Sequence, residues 1–283
     1  MALKSFSNSE VAIISQNKYK VVYMSIPITI ANRFAKLLGA FSKGFSYLFH
    51  TLFPNKRFTI PEHSSAIFPS KKESKIRKII WQTNYSNSVT LPVYLNYLYN
   101  RLMSLDYEYR YVSTEARIEF LKEHAPKNYF DAFIQLTDGA AQADFWRIFV
   151  LNYYGGIYMD IDAHLVWPLS KIIKPKDTEV ILLNKEHYTN YFIASTNNNP
   201  ILQDTLDLIV SNIEGEKVSG GVYELTGPSV LNKAIGDREV NHRFYRYTCV
   251  QGSFTNEYFQ YMDKPQGKWT HAKAEDLLAK ADK

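Results

Sequence analysis

An apolar stretch that begins at Gly156 runs into two aspartates, Asp160 and Asp162, which are separated by a single residue. If the chain turns as it leaves a strand, both carboxylates can share one divalent cation, directly or through its water, because Mg²⁺ and Mn²⁺ prefer oxygen ligands. A cation held there can bridge phosphate oxygens and stabilise the charge on a departing diphosphate. A bare Asp-x-Asp triplet also occurs in solvated turns, so its surroundings decide the interpretation.

A second pair of polar side chains precedes the aspartates. Asp144 and Arg147 are three residues apart in a predicted helix, so they share one of its faces. A carboxylate can accept hydrogen bonds from sugar hydroxyls, and a guanidinium can bind oxygen-rich groups as a planar fork. The alternative is a plain ion pair within the helix. The alanines at positions 140, 141 and 143 indicate close packing, where a charged pair without a task would be costly.

Strands that alternate with helices must position these side chains, and this pattern predicts an α/β fold with a mostly parallel sheet. Ligands of such sheets favour the carboxyl ends of the strands. The predicted strands are residues 76–83, 107–112, 156–161, 179–183, 191–195 and 244–250. The predicted helices are residues 91–104, 114–124, 137–153 and 200–212, a short one opened by the turn at 226–228, and one after residue 271.

Three segments resemble a known family. ADFWR at residues 143–147 and YGGIYMDID at residues 154–162 resemble the signature of the DXD sugar transferases. That family includes yeast-type initiating α-mannosyltransferases, bacterial capsule and lipopolysaccharide glycosyltransferases, and the clostridial glucosylating toxins. KIIWQT at residues 78–83 is similar to the family's opening strand. The resemblance covers residues 76–169 well and fades afterwards.

The resemblance implies a GT-A type, Rossmann-like fold and a retaining, metal-dependent hexosyltransferase. The expected donor is a nucleotide sugar carrying a hexose or N-acetylhexosamine, with a UDP-sugar favoured and GDP-mannose open, and the expected cofactor is Mn²⁺ or Mg²⁺. The expected acceptor is a glycan or lipid-linked oligosaccharide, in bacterial surface polysaccharide synthesis. A toxin-like transfer to protein is the alternative within the family.

Matched position by position, the resemblance assigns roles to five residues. Asp160 and Asp162 match the metal-linked pair, and Tyr158 matches a tyrosine that contacts the donor. Asp144 and Arg147 match residues that contact the donor sugar and the diphosphate. Asp160, Asp162 and Arg147 are therefore the predicted catalytic residues.

Four further side chains are candidates with open alternatives. Trp81 matches the position where the toxins stack the nucleobase, and an indole at a strand end could do so, but a core tryptophan is the alternative. Trp269 is predicted to contact the donor, and His271 is a candidate metal ligand, because KWTH at residues 268–271 is the nearest match to a C-terminal family element, in altered order. His164 is a further candidate ligand, unless it only lines the loop.

Charge divides the chain of 283 residues into two parts. Residues 1–74 hold ten Lys or Arg against three acids, whereas the remaining residues hold 23 basic and 25 acidic side chains. The slightly acidic body argues against nucleic-acid binding. The single cysteine, Cys249, cannot form an internal disulfide, and no signal peptide is evident, so a reducing, cytoplasmic location is expected.

The basic N-terminal part contains an amphipathic helix. From Ile30 onward, apolar residues recur at spacings of three and four up to Pro54, and Arg33, Lys36 and Lys43 occupy the other face. A basic, aromatic-rich helix of this kind suits the surface of an anionic membrane, and predicts a peripheral location on the inner face of the cell membrane. The alternative is that the apolar face packs on the protein's own core or on a second subunit.

The predicted domains are a basic amphipathic extension and linker at residues 1–74 and a catalytic domain at residues 75–283. Prolines and serines at residues 54–75 predict the linker. Two other classes of function remain as alternatives. A metal-dependent nucleotidyltransferase could use paired aspartates, but residues 82–90 lack the glycines of a phosphate loop. A membrane-bound scaffold with an inactive domain would not need the four site residues intact.

Overall fold

A computed structural model describes residues 10–13, 22–267 and 273–279 of the chain. Its strands are β1 (Glu10–Ile13), β2 (Val22–Ser25), β3 (Phe58–Thr59), β4 (His63–Ser64), β5 (Ile79–Thr83), β6 (Ser88–Val89), β7 (Glu108–Val112), β8 (Gly156–Met159), β9 (Ala163–Leu165), β10 (Glu179–Asn184), β11 (His187–Ser195), β12 (His242–Phe244) and β13 (Cys249–Gln251). Its helices are α1 (Ile26–Leu52), α2 (Leu91–Met103), α3 (Thr114–His124), α4 (Lys127–Phe133), α5 (Gly139–Tyr154), α6 (Leu169–Ile172), α7 (Pro200–Glu214), α8 (Gly221–Leu225), α9 (Pro228–Ile235), α10 (Tyr245–Thr248) and α11 (Glu257–Gln260).

The central sheet of the described residues has seven strands in the order β12-β10-β11-β8-β5-β7-β4. β5 is parallel to both β7 and β8, and β10 is parallel to β12. β11 is antiparallel to β8 and β10, and β4 is antiparallel to β7. Five strands therefore run in one direction and two in the other. The predicted α/β fold, with a mostly parallel sheet flanked by helices, is confirmed.

Helices cover both faces of this sheet. Successive side chains of a strand point to opposite faces, so Ile80 of β5 lies in one apolar cluster and Trp81 in the other. The cluster around Trp81 includes side chains of α4, α5, α7 and α9, whereas the cluster around Ile80 includes those of α2 and α6. Because both faces are buried, a strand such as β10 has an almost continuous apolar sequence.

Two glycines connect α5 to β8 at the centre of the sheet. Gly155 and Gly156 have φ angles of 73° and 112°, a region that residues with a side chain rarely adopt. A Cβ on Gly156 would lie 2.8 Å from the carbonyl oxygen of Ile79, so glycine lets β8 approach β5 this closely. β8 then ends directly before Asp160.

Side-chain amides fix the chain that follows β8. Nε2 of Gln82 donates to the carbonyl oxygen of Asp160 at 3.0 Å. Nδ2 of Asn96 donates to the carbonyl oxygens of Ile161 and Ala163 at 2.7 and 2.9 Å. β9 pairs antiparallel with β13, which brings the end of β13 beside the two aspartates. The turn that carries the aspartates is therefore tied to three separate elements.

Helix α1 packs on the body through small and polar side chains, while most of its large apolar side chains are exposed. Nδ2 of Asn32 donates to the carbonyl oxygen of Arg246 at 2.6 Å, and Nε2 of His50 accepts the backbone N–H of Leu91 at 3.1 Å. Phe41, in contrast, is 73% exposed. The alternative in which the apolar face of this helix packs on the protein's own core is therefore wrong.

Three other predictions need correction. Residues 58–64 of the predicted linker form β3 and β4, and β4 joins the edge of the central sheet, because prolines and serines do not exclude short edge strands. The predicted strand at residues 244–250 is divided into the end of β12, α10 and β13, since its two ends pair with different strands. Where a terminal helix was expected, the described residues form one 3-10 turn, Ala274–Asp276. Among the described residues, no helix combines the length and apolar character needed to cross a bilayer.

Candidate active site

A cleft of about 540 Å³ lies at the carboxyl ends of β5 and β8. Asp144, Arg147, Tyr158, Asp160 and Asp162 all line it. α5 contributes the first two, β8 the tyrosine, and the turn after β8 the aspartates. Five of the predicted site residues are therefore brought together, at the end of the sheet where ligands of α/β folds bind.

The N-terminal cap of α5 sets the position of its two polar side chains. Oδ1 of Asp138 accepts the backbone N–H groups of Ala140 and Ala141 at 2.9 and 3.0 Å, which satisfies two donors at the helix start. Ala141 is fully buried. One turn later, Asp144 and Arg147 point from the same face into the cleft.

Arg147 lies at the centre of the polar network. Its Nη2 atom lies 3.1 Å from Oδ1 of Asp144 and 3.2 Å from Oδ1 of Asp160. Its Nη1 atom donates to the carbonyl oxygen of Asn190 at 3.0 Å, and its guanidinium carbon lies 4.4 Å from the centre of the Tyr158 ring. Burial opposes the charge, but the nearby acidic groups, Asp160 first, outweigh burial and raise the pKa of Arg147. Arg147 is thus a permanent cation that joins α5 to the aspartate turn.

Asp144 is enclosed on its other side by neutral donors. Nδ2 of Asn190 donates to Oδ1 of Asp144 at 2.9 Å, and the hydroxyl of Thr226 donates to Oδ2 at 3.3 Å. Burial raises the pKa of Asp144 to about 7, although Arg147 opposes that shift. The carboxylate is therefore held in one orientation and depends on Arg147 to remain ionised near neutral pH.

The two aspartates after β8 converge on one point. Nε2 of Gln251 donates to Oδ2 of Asp160 at 3.1 Å and to Oδ1 of Asp162 at 3.2 Å. The hydroxyl of Tyr158 donates to the other oxygen of Asp160 at 2.7 Å. One amide nitrogen thus bridges oxygens of both carboxylates, so the two carboxylates face the same part of the cleft.

The chemistry of this pair fits a divalent cation. Burial, and then the neighbouring charge of Asp160, raises the pKa of Asp162 to about 7. A bound cation would favour the ionised form of both carboxylates, because metal binding competes with protons. Among the described residues, no group of three or more His, Cys, Asp and Glu side chains surrounds a common point. One or two carboxylates completed by water and substrate phosphates are a usual ligand set for Mg²⁺.

Trp81 does not lie where nucleobase stacking requires it. The side chain is 3% exposed and belongs to the apolar cluster that includes Trp146. Its Nε1 atom donates to the carbonyl oxygen of Gly155 at 3.1 Å. Trp81 is the middle residue of β5, whereas Thr83 at the strand end lines the cleft. The prediction of an exposed indole is therefore wrong, and Trp81 is a core residue.

The remaining candidates divide into one correction and two that lie outside the described residues. His164 is fully buried on β9, with its ring 5.5 Å from the ring of Phe254 and 6.0 Å from that of Tyr99. Burial lowers the pKa of His164 to about 4. Its side chain does not line the cleft, so it is not a ligand there. Trp269 and His271 lie outside the described residues, and their roles stay predictions.

Sequence reasoning missed several residues of the site. Gln251 and Asn190 contact the acidic side chains but are distant from them in the chain, and neither belongs to a recognisable motif. Tyr85 and Lys264 also line the cleft. Tyr85 could have been found, because it lies two residues after the end of the predicted opening strand. Gln251 has no such signal, since only the pairing of β9 with β13 brings it to the aspartates.

Arg117 is the most unusual of the missed residues. It lies on α3, lines the cleft and is 2% exposed. Nη2 donates to the hydroxyl of Thr114 at 2.9 Å, but Nε has no hydrogen-bond partner among the described residues. Burial lowers the pKa of Arg117 to about 10. An arginine buried at a cleft wall with an unused donor is suited to an anionic ligand.

Comparison with known proteins identifies the segment that holds this network. Residues 92–179 match the family model described as the glycosyltransferase sugar-binding region containing DXD motif. This segment is therefore similar to the sugar-binding region of glycosyltransferases that contain a DXD motif. It contains Arg117, the α5 pair and both aspartates, and it ends in β10. The resemblance to DXD sugar transferases is therefore confirmed, and Asp160-Ile161-Asp162 is the only Asp-x-Asp triplet in the sugar-binding region.

Three curated relatives match part of this chain. A protein named Toxin from Photorhabdus asymbiotica is 37% identical over 125 residues, covering 41% of this chain and 4% of the relative. Toxin Afp18 of Yersinia ruckeri is 32% identical over 116 residues, covering 38% of this chain and 5% of the relative. The mannosyl phosphorylinositol ceramide synthase SUR1 of Saccharomyces cerevisiae is 32% identical over 93 residues, covering 32% of this chain and 24% of the relative. The matched part thus spans at most a quarter of the length of these relatives.

Proposed function

We propose that this chain is a glycosyltransferase that moves a sugar from a nucleotide-sugar donor to an acceptor with the help of a divalent cation. The observation that carries the proposal is the convergence of Asp160 and Asp162 on the Nε2 atom of Gln251 in the cleft, at 3.1 and 3.2 Å. The matched sugar-binding region supports the same reading, because it contains both aspartates.

Asp160 and Asp162 would hold the cation, which is Mn²⁺ or Mg²⁺. When bound, it supplies positive charge that offsets the charge on the leaving nucleoside diphosphate. Gln251 keeps the two carboxylates at a common point. Burial disfavours the ionised form of Asp162. A bound cation, which the donor diphosphate can also contact, would offset that cost.

Arg147 acts chiefly as a positioning residue. Nε donates to the carbonyl oxygen of Ala143 at 3.3 Å, and both terminal nitrogens are engaged as described above. With each nitrogen partnered by protein, the guanidinium orients Asp144 and Asp160 instead of gripping the diphosphate as a fork. Asp144 presents its carboxylate to a sugar hydroxyl, and Arg117 lies at the cleft wall as a cation for the donor's phosphates.

Donor, stereochemistry and acceptor are extensions of this proposal. The core position of Trp81 removes the argument that favoured a UDP-sugar, so UDP- and GDP-linked hexoses stand equal. Retention of the anomeric configuration rests on the family resemblance and is tested by the anomer of the product. For the acceptor, a glycan or lipid-linked glycan is one candidate, and the yeast relative's name, which refers to an inositol ceramide, favours a lipid-linked one.

A second candidate acceptor is a protein. Two relatives, at 37% and 32% identity, carry the name toxin, which favours a toxin module over an enzyme of surface polysaccharide synthesis. Both candidates use the same donor chemistry, so they are separated by the acceptor alone. Incubation with labelled donor and either eukaryotic lysate or extracted glycolipids distinguishes them by where the label goes.

The donor chemistry is tested by diphosphate release. Purified protein is incubated with UDP-glucose, UDP-N-acetylglucosamine and GDP-mannose, with Mn²⁺, with Mg²⁺ or with EDTA, and released nucleoside diphosphate is measured. Metal-dependent release from one donor is expected. A folded protein that releases none from any donor, or releases it equally in EDTA, overturns the proposal. Release of pyrophosphate from a nucleoside triphosphate and a sugar phosphate would instead identify a nucleotidyltransferase.

A further inference from the structure

The outer face of α1 is an apolar stripe that extends along the whole helix. A helix of 27 residues is about 40 Å long. Six large apolar side chains of the stripe are between 58% and 73% exposed, and they are Ile30, Phe34, Leu37, Phe41, Leu48 and Leu52. Their spacing of three, four or seven residues places them on one side. A continuous apolar surface of this length is typical of an interaction site.

The orientation of α1 is fixed by specific contacts on its inner face. A Cβ on Gly39 would lie 2.8 Å from the backbone carbon of Ser253, so the two backbones pack closely. The Lys43 ammonium donates to the carbonyl oxygen of Gly252 at 3.0 Å, and the side chain of Asn32 is held by a backbone carbonyl of α10. Rotating the stripe inward would break these contacts. The exposed stripe is thus a property of the folded body.

Charge selects the partner for this stripe. No Asp or Glu lies between Glu10 and Glu62, and Arg33 and Lys36 are exposed along one edge of the stripe, whereas Lys43 turns to the inner face. Two copies that met through this face would bring these cations together, which opposes self-association. A lipid surface with anionic headgroups instead accepts the apolar side chains between its acyl chains and pairs the flanking cations with phosphate.

We propose that α1 lies in the plane of an anionic phospholipid bilayer, with its apolar stripe inserted and its inner face carrying the catalytic body. The contacts of α1 reach the site, because Gly252 and Ser253 directly follow Gln251, and the N–H of Gly252 donates to the carbonyl oxygen of Asp162 at 3.0 Å. Bilayer binding would therefore hold the aspartate cleft at a fixed distance from the lipid surface. The proposal does not depend on the proposed transferase activity.

Co-sedimentation with vesicles tests this docking directly. The full chain is mixed with vesicles of phosphatidylcholine alone and of phosphatidylcholine with phosphatidylglycerol, at low and high salt. Sedimentation with anionic vesicles is expected, and it weakens as salt screens the attraction. Arg33→Gln with Lys36→Gln should reduce the salt dependence. A well-folded chain that ignores anionic vesicles at low salt overturns the proposal.

A matched pair of variants separates the stripe from general stickiness. Leu37→Ser with Phe41→Ser should reduce vesicle affinity by at least about tenfold, because two inserted side chains are lost. Ile134→Ser with Leu208→Ser removes exposed apolar side chains from α7 and the end of α4, on the other face of the sheet, and should leave vesicle binding unchanged. Equal binding by both double variants overturns the proposal. So does a chain that forms dimers sensitive to Leu37→Ser with Phe41→Ser and binds no vesicles, since the stripe then holds a second copy.

Discussion

The aspartate cleft and the outer face of α1 depart from the usual distribution of side chains in opposite ways. In the cleft, Asp144 and Arg147 are charged groups with 7% and 5% of their surface exposed. On α1, large apolar side chains such as Phe41 are in water. Globular proteins seldom bury charges or expose contiguous large apolar patches without a partner. Both regions therefore indicate that something outside the chain completes them.

The two regions differ in how far other residues of the chain pair with or cover these unusual side chains. In the cleft, a single arginine pairs with Asp144 and Asp160, and neutral donors satisfy the remaining oxygens, so the charges are held in place before any ligand arrives. On α1, nothing among the described residues covers the stripe. A site for chemistry needs its groups fixed in advance, whereas a surface for lipid needs only shape, apolar area and charge.

The largest effect on activity is expected at the two aspartates of the cleft, where the charged groups are most completely paired. Asp160→Asn and Asp162→Asn should each reduce metal-dependent transfer by at least about 100-fold, because a cation held by both carboxylates is worth several kcal/mol in the transition state. Titration of Mn²⁺ against diphosphate release measures the effect, and a thermal melt checks the fold. The exposed Asp237→Asn serves as the control and should behave like the unmodified chain. Full metal-dependent activity in both variants would remove the cation from these aspartates.

The next largest effect concerns the core beneath the cleft. Trp81→Ala should lower the free energy of unfolding by about 3–5 kcal/mol, because it leaves a cavity and an unpaired carbonyl at Gly155. Urea unfolding followed by circular dichroism measures it. Trp167→Ala, at a half-buried position, should cost less. If Trp81→Ala keeps its stability and loses nucleotide affinity, the indole contacts the base after all.

Arg117 offers a smaller and more specific test of the cleft. Arg117→Gln should weaken nucleoside diphosphate binding by about tenfold, the scale of one hydrogen bond to a charged group. Its stability should be unchanged or slightly higher, since burial already disfavours the guanidinium charge. Calorimetric titration with UDP and GDP measures the affinity, with the more exposed Arg110→Gln as control. Unchanged affinity together with a large loss of stability would make Arg117 a structural residue.

The smallest effect on stability is expected on α1. Phe41→Ser should change the free energy of unfolding by no more than about 0.5 kcal/mol, because a side chain that is 73% exposed makes few contacts to lose. Gly39→Leu provides the contrast on the same helix, since any side chain there meets the backbone of Ser253. Chemical denaturation of both variants measures their free energies of unfolding. A destabilisation of several kcal/mol by Phe41→Ser would mean that the stripe is covered within the folded chain.

Local sequence patterns were sufficient to predict the main parts of the candidate site. The helical spacing of Asp144 and Arg147 placed them on one face, and the short apolar run before Asp160 placed both aspartates at a strand end. α3 begins and ends at the predicted residues, and its start is fixed by Ser113, which caps the helix through a side-chain hydrogen bond. These features depend on neighbours a few residues away, so the sequence alone determined them.

Tertiary contacts decided what the local pattern left open. Both faces of the central sheet are buried, so β5 shows no alternation of apolar and polar residues. Its sequence therefore could not indicate on which face of the sheet the Trp81 side chain lies. Gln251 reaches Asp160 across 91 positions of the chain, through the pairing of β13 with β9. The amphipathic pattern of α1 was evident, but which face turns to the body was settled by the close approach of Gly39 to Ser253 and by polar contacts to α10 and α2. Periodicity shows that a helix has two faces, and only the surface it meets determines which one is buried.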